Sequence, residues 1–455
     1  MKMKMKFKNF FPPVSYPVIF FAGTIMIGTV CLHSPFCHNN ILISWVDSLF
    51  TAVSAVCVTG LTVTDTGTSF SQAGQTVILL LIQTGGLGIM SFTTLAFFLL
   101  KKNISLADKV VVGQTILHNS RFNLGKFLIQ IVIFTFCIEG AGALLLYGFS
   151  SNSFSPFSAV FHSISAFCNA GFSLNADSLM AFKDNWSVNI TIMVLIILGG
   201  LGFAVLVELK SYIFSMIKGQ KTKQKLSWHL KIVVGTSLFL ILAGWFLIYV
   251  AEFIAFKEYL PFQDAVLTSL FQSVTSRTAG FNTLDVVHMT NVSIVFIIIL
   301  MFVGGAPGSC AGGVKVTTFR LMWVFFLAQL RGRHQIVLGK YAVSKESFNK
   351  AIVLLFFSIA FIFISVILMD FTEGGAIPHT QLRGQFLEIL FEAVSAFGTV
   401  GLSLGLTAKL SVPGKFIIMT LMFIGRLGPL LLLSAVQSLQ TTVLYSKMEE
   451  NIVIG

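Results

Sequence analysis

Apolar residues fall in long stretches along this chain, at 15–32, 76–100, 127–149, 189–207, 232–256, 292–303, 351–369 and 416–440, with shorter polar connections between them. Most of these stretches reach the roughly 17–25 residues that a helix needs to cross a bilayer. Backbone groups in lipid must pair within their own segment, so the stretches are expected to be helices. Their length rules out porin-like strands. The first stretch is too long for a cleaved signal peptide, and no small-x-small cleavage site follows it. It reads as the first spanning helix.

Small and polar residues interrupt this pattern four times in the same way. The segments "FTAVSAVCVTGL" at 50–61, "FHSISAFCNAGF" at 161–172, "LFQSVTSRTAGF" at 270–281 and "FEAVSAFGTVGL" at 391–402 align without a gap on Gly60, Gly171, Gly280 and Gly401. After each motif comes another apolar run with a glycine-bearing break: "GGLG" at 85–88, "GGLG" at 199–202, "GGAPG" at 304–308 and "GRLG" at 425–428. The breaks begin 25, 28, 24 and 24 residues after the motif glycines.

The segments ahead of the motifs are too short to cross. Residues 44–55, 156–167, 262–273 and 384–395 fit half-helices dipping in from outside. Re-entrant backbone needs shelter from lipid, which a shared pore supplies. The expected fold is an all-α polytopic membrane protein: four helix–pore loop–helix repeats around one pseudo-four-fold pore, with eight spanning helices and four re-entrant half-helices. The repeats run over 1–100, 101–215, 216–335 and 336–455, and the third has a broken second helix.

Composition agrees with a membrane chain: 55% hydrophobic and 11% charged residues, with a mean hydropathy of +0.88. The net charge of +12 has a geography. Bases cluster at 2–8, 101–126, 210–231 and 315–350, while the alternate connections carry most of the acids. The positive-inside rule puts both termini in the cytoplasm of a plasma or bacterial inner membrane. Nucleic-acid binding is set aside, because no aromatic-interleaved basic domain is present. The six cysteines form no metal-spaced cluster, and Cys31 and Cys37 are expected to be free rather than paired.

Glycine adopts backbone angles closed to other residues, which lets successive carbonyls turn toward one axis. Rings of carbonyl oxygens can replace the water shell of a dehydrated monovalent cation, and half-helix C-termini add partial negative charge. Outer acids such as Asp47, Asp65, Glu252, Asp264, Glu373 and Glu388 can concentrate cations, though a solvated surface explains most of them. Glu392 is expected to brace its loop. Arg277 is expected to point behind the third loop and bond carbonyls or an acid such as Asp264 or Glu392, and Asn169 to fix the second loop.

With these residues in view, the chain resembles the Trk/Ktr/HKT superfamily of potassium transporters, and within it the membrane subunit of the Ktr type. The resemblance rests on "SAVCVTGLTVTDT" at 54–66, "FCNAGFS" at 167–173, "SRTAGFNT" at 276–283, "SAFGTVGLS" at 395–403, "QTGGLGIM" at 83–90 and "GGAPGSCAGGVKVTT" at 304–318. It implies a selectivity filter at Val58, Thr59, Gly60, Asn169, Ala170, Gly171, Thr278, Ala279, Gly280, Thr399, Val400 and Gly401, with potassium held by backbone carbonyls. It implies an intramembrane gating loop at Gly304, Gly305, Ala306, Pro307, Gly308, Ser309, Gly312 and Gly313, with Arg426 beside it. Arg426 has two open roles: a charge barring the path, or an anchor for the loop. A chain that starts directly with the first repeat's helix favours Ktr over Trk. The resemblance further implies a homodimer in membrane lipid and a cytoplasmic ring of nucleotide-binding regulatory subunits. This chain has no G-x-G-x-x-G fingerprint and no cofactor of its own, so nucleotide regulation would come from that ring. The function implied is passive or sodium-stimulated potassium uptake, with potassium as substrate and sodium as a candidate activator.

Three other readings compete with this one. A proton-coupled transporter would favour inverted repeats and midplane carboxylates, whereas these repeats are parallel and only Glu139 and Glu208 lie near helix interiors or ends. A sodium-selective transporter differs in the filter, where sodium-selective plant relatives have serine at the place of Gly60. An enzyme would need clustered His, Cys or acids, and His162, His229, His288 and His334 are scattered. His162 reads as a packing or capping residue.

Overall fold

The computed structural model describes residues 15–39, 42–87, 124–218, 226–255, 260–333, 335–375, 378 and 384–428. The basic segments at 2–8 and 101–123, the end of "QTGGLGIM" and the apolar run beyond 428 lie outside the described residues.

The helices in chain order are α1 (Ser15–His33), α2 (Trp45–Val56), α3 (Gln72–Gly86), α4 (Leu124–Phe149), α5 (Pro156–Phe167), α6 (Trp186–Gly200), α7 (Phe203–Ile217), α8 (Trp228–Tyr249), α9 (Phe262–Thr275), α10 (Asn291–Phe302), α11 (Val316–Leu330), α12 (Lys345–Met369), α13 (Gln385–Gly398) and α14 (Val412–Leu427). Among the described residues the fold is helical, apart from a two-residue-per-strand hairpin pairing Val337–Leu338 with Tyr341–Ala342. Trp228 Nε1 donates to Leu338 O at 2.9 Å and ties this hairpin to the start of α8.

By length and apolarity, three described helical stretches can cross a membrane: Leu128–Phe149, Trp228–Ile254 and Lys345–Gly374. The pair α6 and α7 forms a fourth candidate, bent by 108°. Spans counted from apolar runs alone come to eight. The difference arises because several runs are cut short: α10 stops at Phe302, and the runs containing α3 and α14 continue beyond the described residues.

The four short helices α2, α5, α9 and α13 match the half-helix segments read from the sequence to within three residues at either end. α2, α5 and α13 each pack against the long helix before them and the helix after them, while α9 packs against α8 and against α6 of the preceding repeat. Their starts are set locally. Ser44 and Ser155 accept hydrogen bonds from the backbone N–H of Asp47 and Ser158, both at 3.1 Å, and Pro156 pre-sets the first turn of α5.

The helices that follow are capped in the same manner by Ser71, Asn185, Thr290 and Ser411. In the third and fourth repeats a carboxylate reinforces the cap. The long helices there end in π-helical turns, Val250–Ala255 and Asp370–Gly374, which carry Glu252 and Glu373. Glu252 accepts from Thr290 N at 3.0 Å and Thr290 Oγ1 at 2.8 Å, and Glu373 accepts from Ser411 N at 3.1 Å and from its hydroxyl. These two acids hold helix ends together. The ring of repeats closes where Lys415 of α14 meets Asp47 of α2 at 2.7 Å.

Candidate functional site

The motif glycines meet in a closed ring. A β-carbon added at Gly60 would lie 3.1 Å from the Cα of Gly171. A β-carbon added at Gly171, Gly280 or Gly401 would likewise lie 3.1 Å from the Cα of Gly280, Gly401 or Gly60. Each glycine also faces the carbonyl oxygen just before the next glycine: Ala170, Ala279, Val400 and Thr59 in turn. No side chain fits in this ring. Its glycines have φ of 89°, 70°, 80° and 94°, and Val58, Asn169, Thr278 and Thr399, two residues earlier, have φ of 56°, 59°, 73° and 51°. Left-handed residues two apart turn successive carbonyls to one side, which ordinary extended or helical backbone does not do. The energetic cost of four non-glycine residues in this region must be met by the surrounding packing.

That packing is visible. Gly60 N and Gly401 N donate to Ser54 Oγ and Ser395 Oγ at 3.1 and 3.2 Å. Ser165 Oγ and Thr275 Oγ1 donate to the carbonyls of Phe172 and Phe281, both at 2.8 Å. Gly85, Gly199 and Gly425 let the following helices pass close to the half-helix ends. β-Carbons there would come within 2.8, 2.9 and 2.8 Å of the carbonyl carbons of Val56, Phe167 and Phe397. Close approach, as well as helix breaking, accounts for these glycines.

The gapless alignment of the motifs is corrected by these bonds. Ser54, Ser165 and Ser395 lie six residues before their glycines, and their carbonyls accept from Thr59, Ala170 and Val400 at 2.8, 2.7 and 2.9 Å. In the third repeat the same part is played by Thr275, five residues before Gly280, which accepts from Ala279 at 2.9 Å. Ser163 and Ser273 confirm the offset, since each donates to the preceding long helix, at Glu139 O (2.6 Å) and Ile241 O (2.7 Å). The third loop is one residue shorter, so an alignment fixed on the glycines misplaces its helix. Phe271, not Leu270, is the counterpart of Phe50, Phe161 and Phe391, and all four are fully buried.

With that shift, Thr51, His162, Gln272 and Glu392 share one place behind the ring. His162 Nε2 pairs with Ser173 Oγ at 3.0 Å and Nδ1 with Ser158 O at 2.8 Å. Glu392 accepts from the hydroxyls of Ser403 and, at 2.8 Å, Thr407. Both grip the serine two residues past a ring glycine, so His162 and Glu392 are bracing residues. With its amide oxygen 3.3 Å from Thr278 Oγ1, Asn169 donates to the carbonyls of Ala166, Phe167 and Ile196 at 3.2, 3.3 and 3.1 Å. Asn169 therefore links the second loop to the third. Arg277 turns behind its loop, as expected, but finds no acid. It donates to Ser237 O at 3.2 Å, Ser237 Oγ at 3.3 Å and Gly304 O at 3.5 Å.

Between α10 and α11 the chain leaves helical geometry over 303–315. Val303 and Val314 form a parallel bridge at the base, with Gly304 N donating to Val314 O at 2.9 Å and Val316 N to Gly305 O at 3.1 Å. At the tip, Ala306-Pro307-Gly308-Ser309 makes a turn with Gly308 at φ 70° and Ser309 N donating to Ala306 O at 3.2 Å. Proline then glycine at the centre is what a type II turn requires. The loop leans on the bend between α6 and α7. Carbonyls freed by that break, Gly200 O and Gly199 O, accept from Ala306 N (2.9 Å) and Cys310 N (3.2 Å), and Phe203 N donates to Gly308 O at 3.1 Å. Gly312 N donates upward to Thr399 Oγ1 at 3.1 Å, next to the ring.

Arg426 is buried, and its guanidinium donates to Cys310 O in the loop and Gly85 O at the end of α3. It anchors the loop to the first and fourth repeats. Sequence reasoning missed Lys315, counted there only as a cytoplasmic base. Its Nζ bends back to Ala311 O at 2.6 Å and Gly312 O at 3.4 Å. A lysine directly after a glycine-rich break was the available signal. Another buried cluster, Gln83, Glu139 and Cys168, has Gln83 Nε2 donating to Glu139 Oε2 at 3.1 Å. All six cysteines are free, including Cys31 and Cys37. No group of three or more metal-ligating side chains occurs among the described residues.

Comparisons with known proteins bear on this arrangement. The family model TrkH, described as a cation transport protein, matches residues 18–441. The chain is 39% identical over 435 residues to the Ktr system potassium uptake protein B of Bacillus subtilis, covering 94% of this chain and 93% of that one. It is 32% identical over 468 residues to the potassium/sodium uptake protein NtpJ of Enterococcus hirae, covering 100% and 99%. In structure it is similar to the potassium transporter TrkH from Vibrio parahaemolyticus, with a TM-score of 0.71 at 19% identity, over 94% of this chain and 86% of that one. That likeness establishes an all-α polytopic membrane fold of the same kind.

Proposed function

The chain belongs to the Trk/Ktr/HKT superfamily of potassium transporters as a pore-forming membrane subunit, not an enzyme, and on that premise we propose that it takes up potassium through the glycine ring. The single observation that carries this reading is the closed ring of Gly60, Gly171, Gly280 and Gly401, with a backbone carbonyl facing each glycine. Val58 to Gly60, Asn169 to Gly171, Thr278 to Gly280 and Thr399 to Gly401 form the filter. Its ligands for potassium are carbonyl oxygens, and the C-terminal ends of α2, α5, α9 and α13 favour a cation at the centre. The chain folds as four helix–pore loop–helix repeats with eight spans, bounded near 100, 215 and 335, and both termini are cytoplasmic.

The loop 304–313 is the gate. It lies against the underside of the ring through Thr399 and is held there by Arg426, Arg277 and Lys315. Arg426 serves as the anchor and places a positive charge beside the path, so both of its roles operate in the closed state. Uptake follows the electrochemical gradient and is stimulated by sodium. The chain works as a homodimer in the cell membrane, with a separate cytoplasmic nucleotide-binding ring docked on its basic connections.

Rubidium-tracer uptake into proteoliposomes under imposed voltage tests the proposal. Uptake that follows voltage and is blocked by potassium more strongly than by sodium is the expected result. The relative from Enterococcus hirae is named for both ions, so equal block by sodium would instead indicate a non-selective cation path. No uptake with or without the regulatory ring would overturn the transport reading.

A further inference from the structure

We propose that His162 is a positioning residue for the third filter segment as well as for its own, acting through the outer turn of the second repeat, and that it thereby sets ion preference. This inference rests on the filter reading above. The third segment has no brace from its own half-helix. Gln272 stands at the place from which His162 and Glu392 each hold the serine two residues past their ring glycine. It is fully buried, and neither its amide nitrogen nor its amide oxygen has a hydrogen-bond partner among the described residues. Two residues past Gly280 comes Asn282, and its backbone is held from elsewhere. Asn282 N donates to Ser178 Oγ at 3.1 Å, and Asn282 O accepts from Leu179 N at 3.0 Å. Both partners belong to the second repeat.

That turn hangs on His162. The carbonyl of Ser158, 2.8 Å from Nδ1, can only accept, so in the neutral ring Nδ1 carries the proton and Nε2 accepts from the Ser173 hydroxyl at 3.0 Å. Ser173 Oγ in turn accepts from Asn175 N at 3.0 Å, and Asn175 Nδ2 donates to Ser178 O at 3.1 Å. Ser178 N donates back to Asn175 O at 3.1 Å, and Ser178 itself is left-handed at φ 57°. A serine in that conformation depends on such bonds to stay there. Consecutive hydrogen bonds therefore run from the imidazole to the backbone of Asn282. A second contact is direct: the His162 ring lies 6.5 Å, centroid to centroid, from Phe281, the residue after Gly280. On the other side of the glycine, Asn169 meets Thr278. The second repeat thus holds the third segment both before and after Gly280. Carbonyl selectivity depends on where the oxygens of one segment stand relative to the other three.

The full chain is compared with His162→Leu, His162→Gln, Ser178→Gly and Gln272→Leu. Amide hydrogen exchange is read by mass spectrometry over 170–180 and 278–285, and block of rubidium uptake by potassium and by sodium is measured on the same preparations. His162→Leu removes the acceptor for Ser173. Exchange should rise about fivefold over both stretches, and the preference for potassium should fall by a similar factor. His162→Gln keeps an acceptor for that hydroxyl and should bring both readings back to within about twofold of the native chain. Ser178→Gly suits the left-handed turn and removes only the oxygen that receives Asn282 N. It should loosen 278–285 and lower the preference while leaving 170–180 protected. Adding it to His162→Leu should change the preference no further, because the route is shared. Gln272→Leu should leave exchange and preference as they are, since no hydrogen bond is lost. Native exchange over 278–285 in His162→Leu, with 170–180 loosened, would reduce His162 to a brace of its own loop and overturn the proposal. So would unchanged preference in Ser178→Gly, which decides the matter should His162→Leu fail to fold. A native chain that transports nothing would count against the transport reading, while exchange still decides the positioning.

Discussion

The ring and the loop beneath it are built on opposite plans. The ring repeats one arrangement four times, and it is specified by backbone: glycines that face carbonyls, left-handed φ values and an approach so close that an added β-carbon would lie 3.1 Å from the next glycine. The loop occurs once among the described residues, and side chains hold it: Arg426 to Cys310 O, Thr399 to Gly312 N, Lys315 to Ala311 O. A structure fixed by steric exclusion has little freedom to change in small steps. One held by separate hydrogen bonds can release them one at a time. On the proposed reading, the difference suits a filter that must not move and a gate that must.

Substitutions can sharpen this contrast. Gly60→Ser should have the largest effect, because a side chain at φ 89° must enter the space of Gly171 and the carbonyl of Ala170. We expect the preference for potassium over sodium in rubidium-uptake competition to fall at least tenfold. Unchanged competition would remove the ring from the filter. Arg426→Gln comes next. It shortens the side chain, leaves the carbonyls of Cys310 and Gly85 without their charged donor, and should raise basal uptake severalfold while ion preference is kept. A fall in uptake with normal insertion would show that Arg426 supports the open state instead.

Thr399→Val removes one neutral hydrogen bond to the loop, worth about 1 kcal/mol, or roughly a fivefold shift toward the open loop. Voltage-driven uptake should rise by no more than that factor. Lys415→Gln is the smallest. It opens the ion pair with Asp47 that joins α14 to α2. Thermal stability in detergent should drop slightly and ion preference should not change. A changed preference would mean that the ring feels the contact between α14 and α2.

Much of the ring was legible from sequence because backbone requirements leave residue signatures. A glycine repeated at one place in four motifs needs no knowledge of partners. The half-helices were legible for the same reason, since Ser44, Ser155 and Pro156 mark their starts locally. The shortened third loop was not, because the glycine spacing hides a missing residue that only the bonds of Thr275 and Ser273 reveal. The partners of Arg277 were legible as a class, carbonyls or an acid, but the sequence did not say which carbonyls: Ser237 on α8 and Gly304 on the loop lie where the side chain points. Lys315 was read as an orientation signal, since a base carries the same letter whether it faces cytoplasm or turns back onto carbonyls.

The bridge between Val303 and Val314 has a consequence for timing. It staples the two feet of the loop together, so the tip at 306–311 can swing without dragging α10 or α11 with it. A swing of that size belongs with loop motions, roughly nanoseconds to microseconds, rather than with the microsecond-to-millisecond movements of whole helices. On the proposed gate reading, flicker between conducting and blocked states is fast, while any slow component reports the agents that bias the loop from outside.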